Sequence, residues 1–146
     1  MHVDRRVLTA IQMLALVCAI GASGYLAYQK ATNGVPLCTV GGGCMAALYS
    51  PWGYILGIPL AYIGLTAATI LLLGTPWRRY ELRAISLVLL LIGALFEIYL
   101  RYVEQAHFGG HVCMWCVSFM VFWWIAGASE LLRLIRWPAD AEAATA

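Results

Sequence analysis

Four cysteines carry the chemistry open to this chain. Cys113 and Cys116 stand three residues apart in Gly109-Gly110-His111-Val112-Cys113-Met114-Trp115-Cys116, where a polar loop gives way to a long apolar run. Residues i and i+3 share a helix face, and the partial positive charge of a helix N-terminus favours a thiolate over a thiol. Such a pair can open and close as a disulfide. Cys38 and Cys44 bracket Thr39-Val40-Gly41-Gly42-Gly43. Glycine permits backbone conformations that other residues resist, so these two thiols can close a small ring and the loop can move between partners. A phosphate loop is a poor reading of the glycines, because no Gly-Lys-Ser/Thr ending follows. Cys18 lies alone in an apolar run and reads as a small core residue.

Two kinds of chemistry suit two thiol pairs. Four thiolates can hold zinc tetrahedrally, but structural zinc sites use short-spaced knuckles and Cys38/Cys44 is too widely spaced for one. No metal is expected. The other chemistry is a relay, in which a thiolate attacks a disulfide and releases the partner sulfur. Pairs in series can take electrons from a soluble protein and pass them to a lipid-soluble acceptor. An extracytoplasmic oxidant of the DsbA type has a potential of roughly −120 mV, so reoxidising it needs a more oxidising sink. A membrane quinone serves, and its apolar ring with polar carbonyls suits a pocket between helices.

The elements that must hold these thiols are membrane helices. Of 146 residues, 63% are hydrophobic and 11% charged, with a mean hydropathy of +0.82. Apolar runs near 7–28, 54–74, 84–103 and 114–135 each approach the ~20 residues that cross ~30 Å of hydrocarbon. Backbone polar groups in lipid must bond within their own segment. The prediction is an all-α integral membrane protein: one domain over 1–146, a four-transmembrane-helix bundle with a short interfacial helix in the first outer loop. The first run is too long for a signal-peptide core and ends without a clean small-x-small site, so it is expected to stay attached. Arg5, Arg6, Arg78, Arg79, Arg83, Arg133 and Arg136 fall on one side of this arrangement, and Lys30 and Arg101 on the other. Basic loops stay inside. Both termini are therefore expected in the cytoplasm of a multi-pass protein of the bacterial inner membrane, with both thiol pairs on the oxidising outer side. The formal charge of +2 follows from this topology and indicates no nucleic-acid partner.

Between the thiol pairs lie the supporting candidates. Met45 to Gly53 reads as an interfacial helix with Tyr49 and Trp52 at headgroup depth, and equally as a lid over a pocket. Pro59 is tolerated in the first turns of the second helix, and Gly57 and Gly64 allow close helix approach. Glu97, Arg101 and Glu104 follow one face of the third helix at i, i+4, i+7. Ionisable groups at membrane depth are functional candidates; the plainer reading is an internal Glu97–Arg101 pair with residues reaching the interface. Glu130 can pair with Arg133. Met120, Trp123 and Trp124 continue the face of the last helix and can pack or wall an aromatic ligand. Trp52, Tyr54, Glu97 and Met120 are the candidates for contacting a quinone, and His111 and Glu104 for moving its protons. The tail beyond 138 is short, Ala-rich and expected to be disordered.

Taken together, Cys38-x5-Cys44-x5-Ser50, Pro51-Trp52-Gly53, Gly57-Ile58-Pro59-Leu60-Ala61 and the Cys113-x-x-Cys116 pair opening the last helix resemble the vitamin K epoxide reductase family, most of all its bacterial members. The segment Tyr99-Leu100-Arg101-Tyr102-Val103-Glu104 leading to His111 resembles the same branch. The resemblance implies four helices around a menaquinone- or ubiquinone-type quinone, with Cys38 and Cys44 as the shuttle pair, Cys113 and Cys116 as the quinone-facing pair, and Ser50 beside them. Many bacterial members carry a fused thioredoxin-like domain. This chain shows none, so a thioredoxin-fold partner in trans is expected to supply electrons. Met120 stands where vertebrate members have a tyrosine, which argues against vertebrate-style epoxide binding. The alternatives are a quinone or vitamin K epoxide reductase using the same centres, and a non-catalytic membrane scaffold with structural disulfides.

Overall fold

Helix α1 (Arg5–Ala31) is the post around which the others stand in this computed structural model. The described residues are 5–39, 42–77, 79–107 and 109–136. Val40 and Gly41 of the glycine loop, Arg78 of the basic loop, Phe108 and the tail beyond 138 lie outside them. Ala15, Ala19 and Ala22 on α1 are buried, and such small residues let helix backbones approach closely. After α1 come a short helix α2 (Cys44–Tyr49) and a single 3₁₀ turn, Pro51–Gly53. Strands β1 (Tyr54–Ile55) and β2 (Ile58–Pro59) follow, then helices α3 (Leu60–Gly74), α4 (Tyr80–His107) and α5 (Met114–Ile135). Helix α1 packs chiefly on α5 and α3, and α4 on α5, while α3 and α4 barely touch.

Two expectations need correction. The helix placed over 54–74 begins only at Leu60, because 54–59 folds into a two-stranded antiparallel hairpin pairing Tyr54 with Pro59 and Ile55 with Ile58. The fold is therefore not purely α. Leu56 and Gly57 at the turn have φ of 52° and 82°, the doubly positive pair that matches the twist of a tight hairpin. Gly57 thus serves a turn and not a helix contact. Pro59 caps α3 with extended backbone (φ −60°, ψ 134°) and drives the residue before it to extended geometry. As a result, among the described residues three helices are long and apolar enough to cross a membrane: α1, α4 and α5. At 15 residues, α3 is shorter. The chain is a multi-pass, mainly helical membrane protein.

The core is a column of Leu16 and Ala19 from α1, Ala68 and Leu71 from α3, Leu90 from α4, and Trp123 and Ala126 from α5. Gly93 makes the α4–α5 contact possible. A Cβ there would lie 2.6 Å from the Trp123 indole nitrogen, which donates to the Leu90 carbonyl at 2.9 Å. At the end of the bundle away from the cysteines, Gln12, Arg83, Glu130 and Arg133 are all buried. The Arg133 guanidinium donates to Gln12 Oε1, to Glu130 at 3.1 Å and to the Thr75 carbonyl at 3.3 Å. The expected Glu130–Arg133 pair is thus present, inside a larger network that joins α1, α3 and α5.

Candidate active site

The chain enters α5 through Gly109 and Gly110, whose φ angles of 61° and 82° turn it back toward the bundle. Cys113 then caps the helix. Its sulfur accepts from the Cys116 amide at 3.3 Å, and the two Sγ atoms lie 2.7 Å apart as free thiols. The Cys116 thiol, donating to Cys113, pulls the Cys113 thiol below its ordinary range, helped by the Cys116 and Trp115 amides and opposed by burial and the charge of Glu104. Cys113 is thereby the sulfur inclined to be a thiolate.

The other pair is closed: Cys38 and Cys44 form a disulfide. Several hydrogen bonds stitch its loop to the start of α5. Gly43 N–H donates to the Val112 carbonyl at 3.3 Å, and a Cβ on Gly43 would lie 2.6 Å from the His111 carbonyl oxygen. The Thr39 hydroxyl reaches Met114 Sδ at 3.4 Å, and the Trp115 indole donates to the Leu37 carbonyl at 2.8 Å. The Leu37 amide in turn donates to the Tyr25 hydroxyl at 2.9 Å. Cys44 and Cys113 are both 0% exposed and share one apolar cluster with Leu26 and Leu48, against which Cys38 and Cys116 also pack. The disulfide is asymmetric: Cys38 is half-buried while Cys44 is sealed.

Below this sulfur cluster the helices enclose a cavity of about 530 Å³. Cys44, Cys113 and Cys116 line its upper wall, along with Ser50, Trp52 and Gly53, which follow α2. Helix α2 covers that end through Ala47 and Leu48, as a lid would. Lys30 holds the lid down. Its ammonium donates to the Leu48 carbonyl at 3.3 Å and lies 3.9 Å from the Tyr49 ring centroid and 4.8 Å from that of Tyr54. Phe119 and Trp123, stacked at 5.3 Å, form an aromatic wall lower down. On the side where α3 and α4 barely meet, the lining residues Ile70 and Ile92 are each 59% exposed on the outer surface.

Not every candidate comes to the cavity. Glu97, Arg101, Glu104, Ser50 and Trp52 line it. Tyr54, Met120 and His111 do not: Tyr54 sits in the hairpin under Lys30, and His111 is exposed on the loop before α5. Cys18 stays free and half-buried on α1, apart from the site. The pairing on α4 also differs from expectation. Arg101 bonds Glu104 at 2.6 Å and not Glu97. Trp52 stacks on His107 at 4.9 Å, tying the lid segment to the end of α4. Among the described residues no group of three or more His, Cys, Asp or Glu is placed to hold a metal ion.

Sequence reasoning missed the wall that Phe119 and Gly64 share, where a Cβ on Gly64 would stand 3.3 Å from the Phe119 ring. Spacing alone marked Gly64 as a contact point without naming its partner. No solved structure matches the chain. A disulfide and a free thiol pair thus meet over an apolar cavity, and the model of the vitamin K epoxide reductase family matches residues 9–130: the chain belongs to that family, whose members are oxidoreductases.

Proposed function

We propose that this protein is a membrane thiol oxidase that reoxidises an extracytoplasmic thioredoxin-fold protein, acting in trans, and passes the electrons to a membrane quinone of the menaquinone or ubiquinone type. The observation that carries this reading is the burial of Cys44 and Cys113 in one cluster directly over the cavity. The cavity fits such a ring. Its walls are apolar and aromatic, and Ser50 Oγ is buried on it without a hydrogen-bond partner among the described residues, so it is available to a ring carbonyl. A prenyl tail would leave between α3 and α4. With α3 and the hairpin together forming the fourth span, both termini lie in the cytoplasm, α2 lies at the outer surface and the cysteines face outward in the bacterial inner membrane.

The residues act in sequence. A partner thiolate attacks Cys38, the more accessible sulfur, and Cys44 leaves as a thiolate. The partner's second thiol displaces Cys38, and the partner departs oxidised. Cys44 attacks Cys113 of the Cys113–Cys116 disulfide and frees Cys116. Cys38 then attacks Cys44, Cys113 leaves, and the loop disulfide is restored. A bound quinone supplies a two-electron sink for the reduced Cys113/Cys116 pair. Ser50 orients the ring, and Trp52 and Phe119 pack against it.

The test is a trap. In Cys38→Ser protein, exposed to reduced partner or dithiol, peptide mapping should find Cys44 joined to Cys113. A Cys44 that joins nothing on α5 would overturn this path. Rescue of a strain lacking its periplasmic thiol oxidase separates protein oxidation from the alternative in which the reduced quinone is the product that matters.

A further inference from the structure

Reducing a quinone to a quinol takes two electrons and two protons, and the cavity must supply the protons away from water. One group on its wall takes no part in the steps above. Glu97 on α4 is 9% exposed and lines the cavity with Cys113 and Cys116. Its neighbour Arg101 is engaged by Glu104 at 2.6 Å, and among the described residues no hydrogen bond or ion pair holds the Glu97 carboxyl. A carboxyl in such a wall is stable only with a proton or with a ligand that bonds it.

We propose that Glu97 is the proton-transfer group of the ring site. This rests on the quinone reading above and assigns the acid that reading lacks. In the step, the Cys113 and Cys116 sulfurs join and give up two electrons to the quinone. Glu97 gives its proton to one ring oxygen and takes up the proton leaving Cys116. The second oxygen receives the other proton of the reduced pair. The carboxyl ends as it began, and dithiol plus quinone become disulfide plus quinol. The charged and titratable groups around Glu97 are Arg101 and Glu104 on its own helix, and Cys113 and Cys116 at the start of α5; Cys44, from the lid, is held in its disulfide.

The experiment uses full-length protein in detergent with a short-chain ubiquinone analogue. Stopped-flow mixing follows oxidation of the reduced Cys113/Cys116 pair, and quenching of tryptophan fluorescence by the analogue gives its affinity. Glu97→Gln should slow thiol oxidation at saturating quinone by about 100-fold, the low end for a lost general acid. It should change affinity less than about threefold, an order-of-magnitude bound for a neutral isostere, and leave exchange between reduced partner and the Cys38–Cys44 disulfide at the wild-type rate. Glu97→Asp, which keeps a carboxyl, should recover most of the rate. An infrared difference spectrum on quinone binding should show a protonated-carboxyl band that Glu97→Gln lacks. A wild-type oxidation rate in Glu97→Gln, or a loss confined to affinity, overturns the proposal while the quinone reading stands. A wild-type protein that gives no electrons to the analogue overturns both. Should Glu97→Gln fail to fold, Glu97→Asp decides: its band must persist, and its absence overturns the assignment.

Discussion

The two ends of the helix bundle both bury ionisable side chains, and they do so in opposite ways. At the end away from the cysteines, Arg133 is bonded to Gln12, Glu130 and the Thr75 carbonyl, all buried. At the cysteine end, Arg101 and Glu104 pair at the edge of a cavity, and Glu97 and Ser50 face it without protein partners among the described residues. The first end uses the Arg133 guanidinium to join three helices, with only its Nε left without a hydrogen bond among the described residues. The second has kept several hydrogen bonds in reserve over an apolar space. Similar buried residues thus mean different things, and what separates them is whether they tie helices together or line a cavity.

Substitutions can break this contrast. The largest effect is expected from Cys116→Ala, which should reduce quinone-coupled partner oxidation to background while the loop disulfide still exchanges once with reduced partner; oxygen- or quinone-linked turnover in membranes measures it. Retained turnover would favour the scaffold alternative. At the opposite end, Arg133→Met should leave any surviving folded protein active but strand Glu130, costing about 3–5 kcal/mol. Thermal unfolding in detergent reads this loss, and adding Glu130→Gln should recover most of it. Gly93→Ala forces a methyl into the Trp123 indole and should cost about 1–3 kcal/mol by overpacking. Because Trp123 walls the lower cavity, quinone affinity should fall with it.

The smallest effect concerns pH. Because Cys113 is held below the ordinary thiol value of 9.0, its modification by a small apolar maleimide should reach half its maximal rate at a lower pH than that of an unstructured thiol peptide. The sign for stability follows. A group that releases its proton sooner in the folded state stabilises that state fully above the ordinary value, and the contribution is lost as pH falls through the lowered one. Cys116→Ala removes the donor that lowers Cys113, and the profile should move back up. An unchanged profile would show that the Cys116 thiol does not set it.

How much of this was legible in the residues depends on the signal each carried. The last helix, Met114–Ile135, coincides with the expected 114–135, because the Gly109-Gly110 turn and the apolar run mark its start sharply. The cysteines come together because the glycines between Cys38 and Cys44 let that loop fold onto α5, where Gly43 tolerates the close approach. Hydropathy misled over 54–59, since an apolar hairpin and an apolar helix have the same composition. The distinguishing sign was local: Leu56-Gly57 between Ile55 and Ile58, followed by Pro59, is strand-and-turn chemistry. On α4, spacing allows Arg101 to pair with Glu97 or Glu104, and only the fold shows that Glu104 is the partner. In the sequence Gln12 falls inside an apolar run, Arg83 closes a basic loop and Arg133 is expected only to pair with Glu130. Only the fold shows them buried together, although a glutamine inside a membrane run is itself a sign of an interhelical contact.

The hairpin has a consequence for the lipid around the protein. A 15-residue helix rises about 22 Å, against ~30 Å of acyl thickness. On the four-span reading, the bilayer beside α3 must either thin locally or accept the Tyr54–Pro59 ribbon at the level of the upper acyl carbons, with the Leu56 side chain, 98% exposed, as its foremost point. Matching such a span costs fractions of a kcal/mol per Å. Short-chain phospholipids should therefore gather on the α3 face and long-chain ones on the α4 face, so that acyl length varies around the circumference of one small protein.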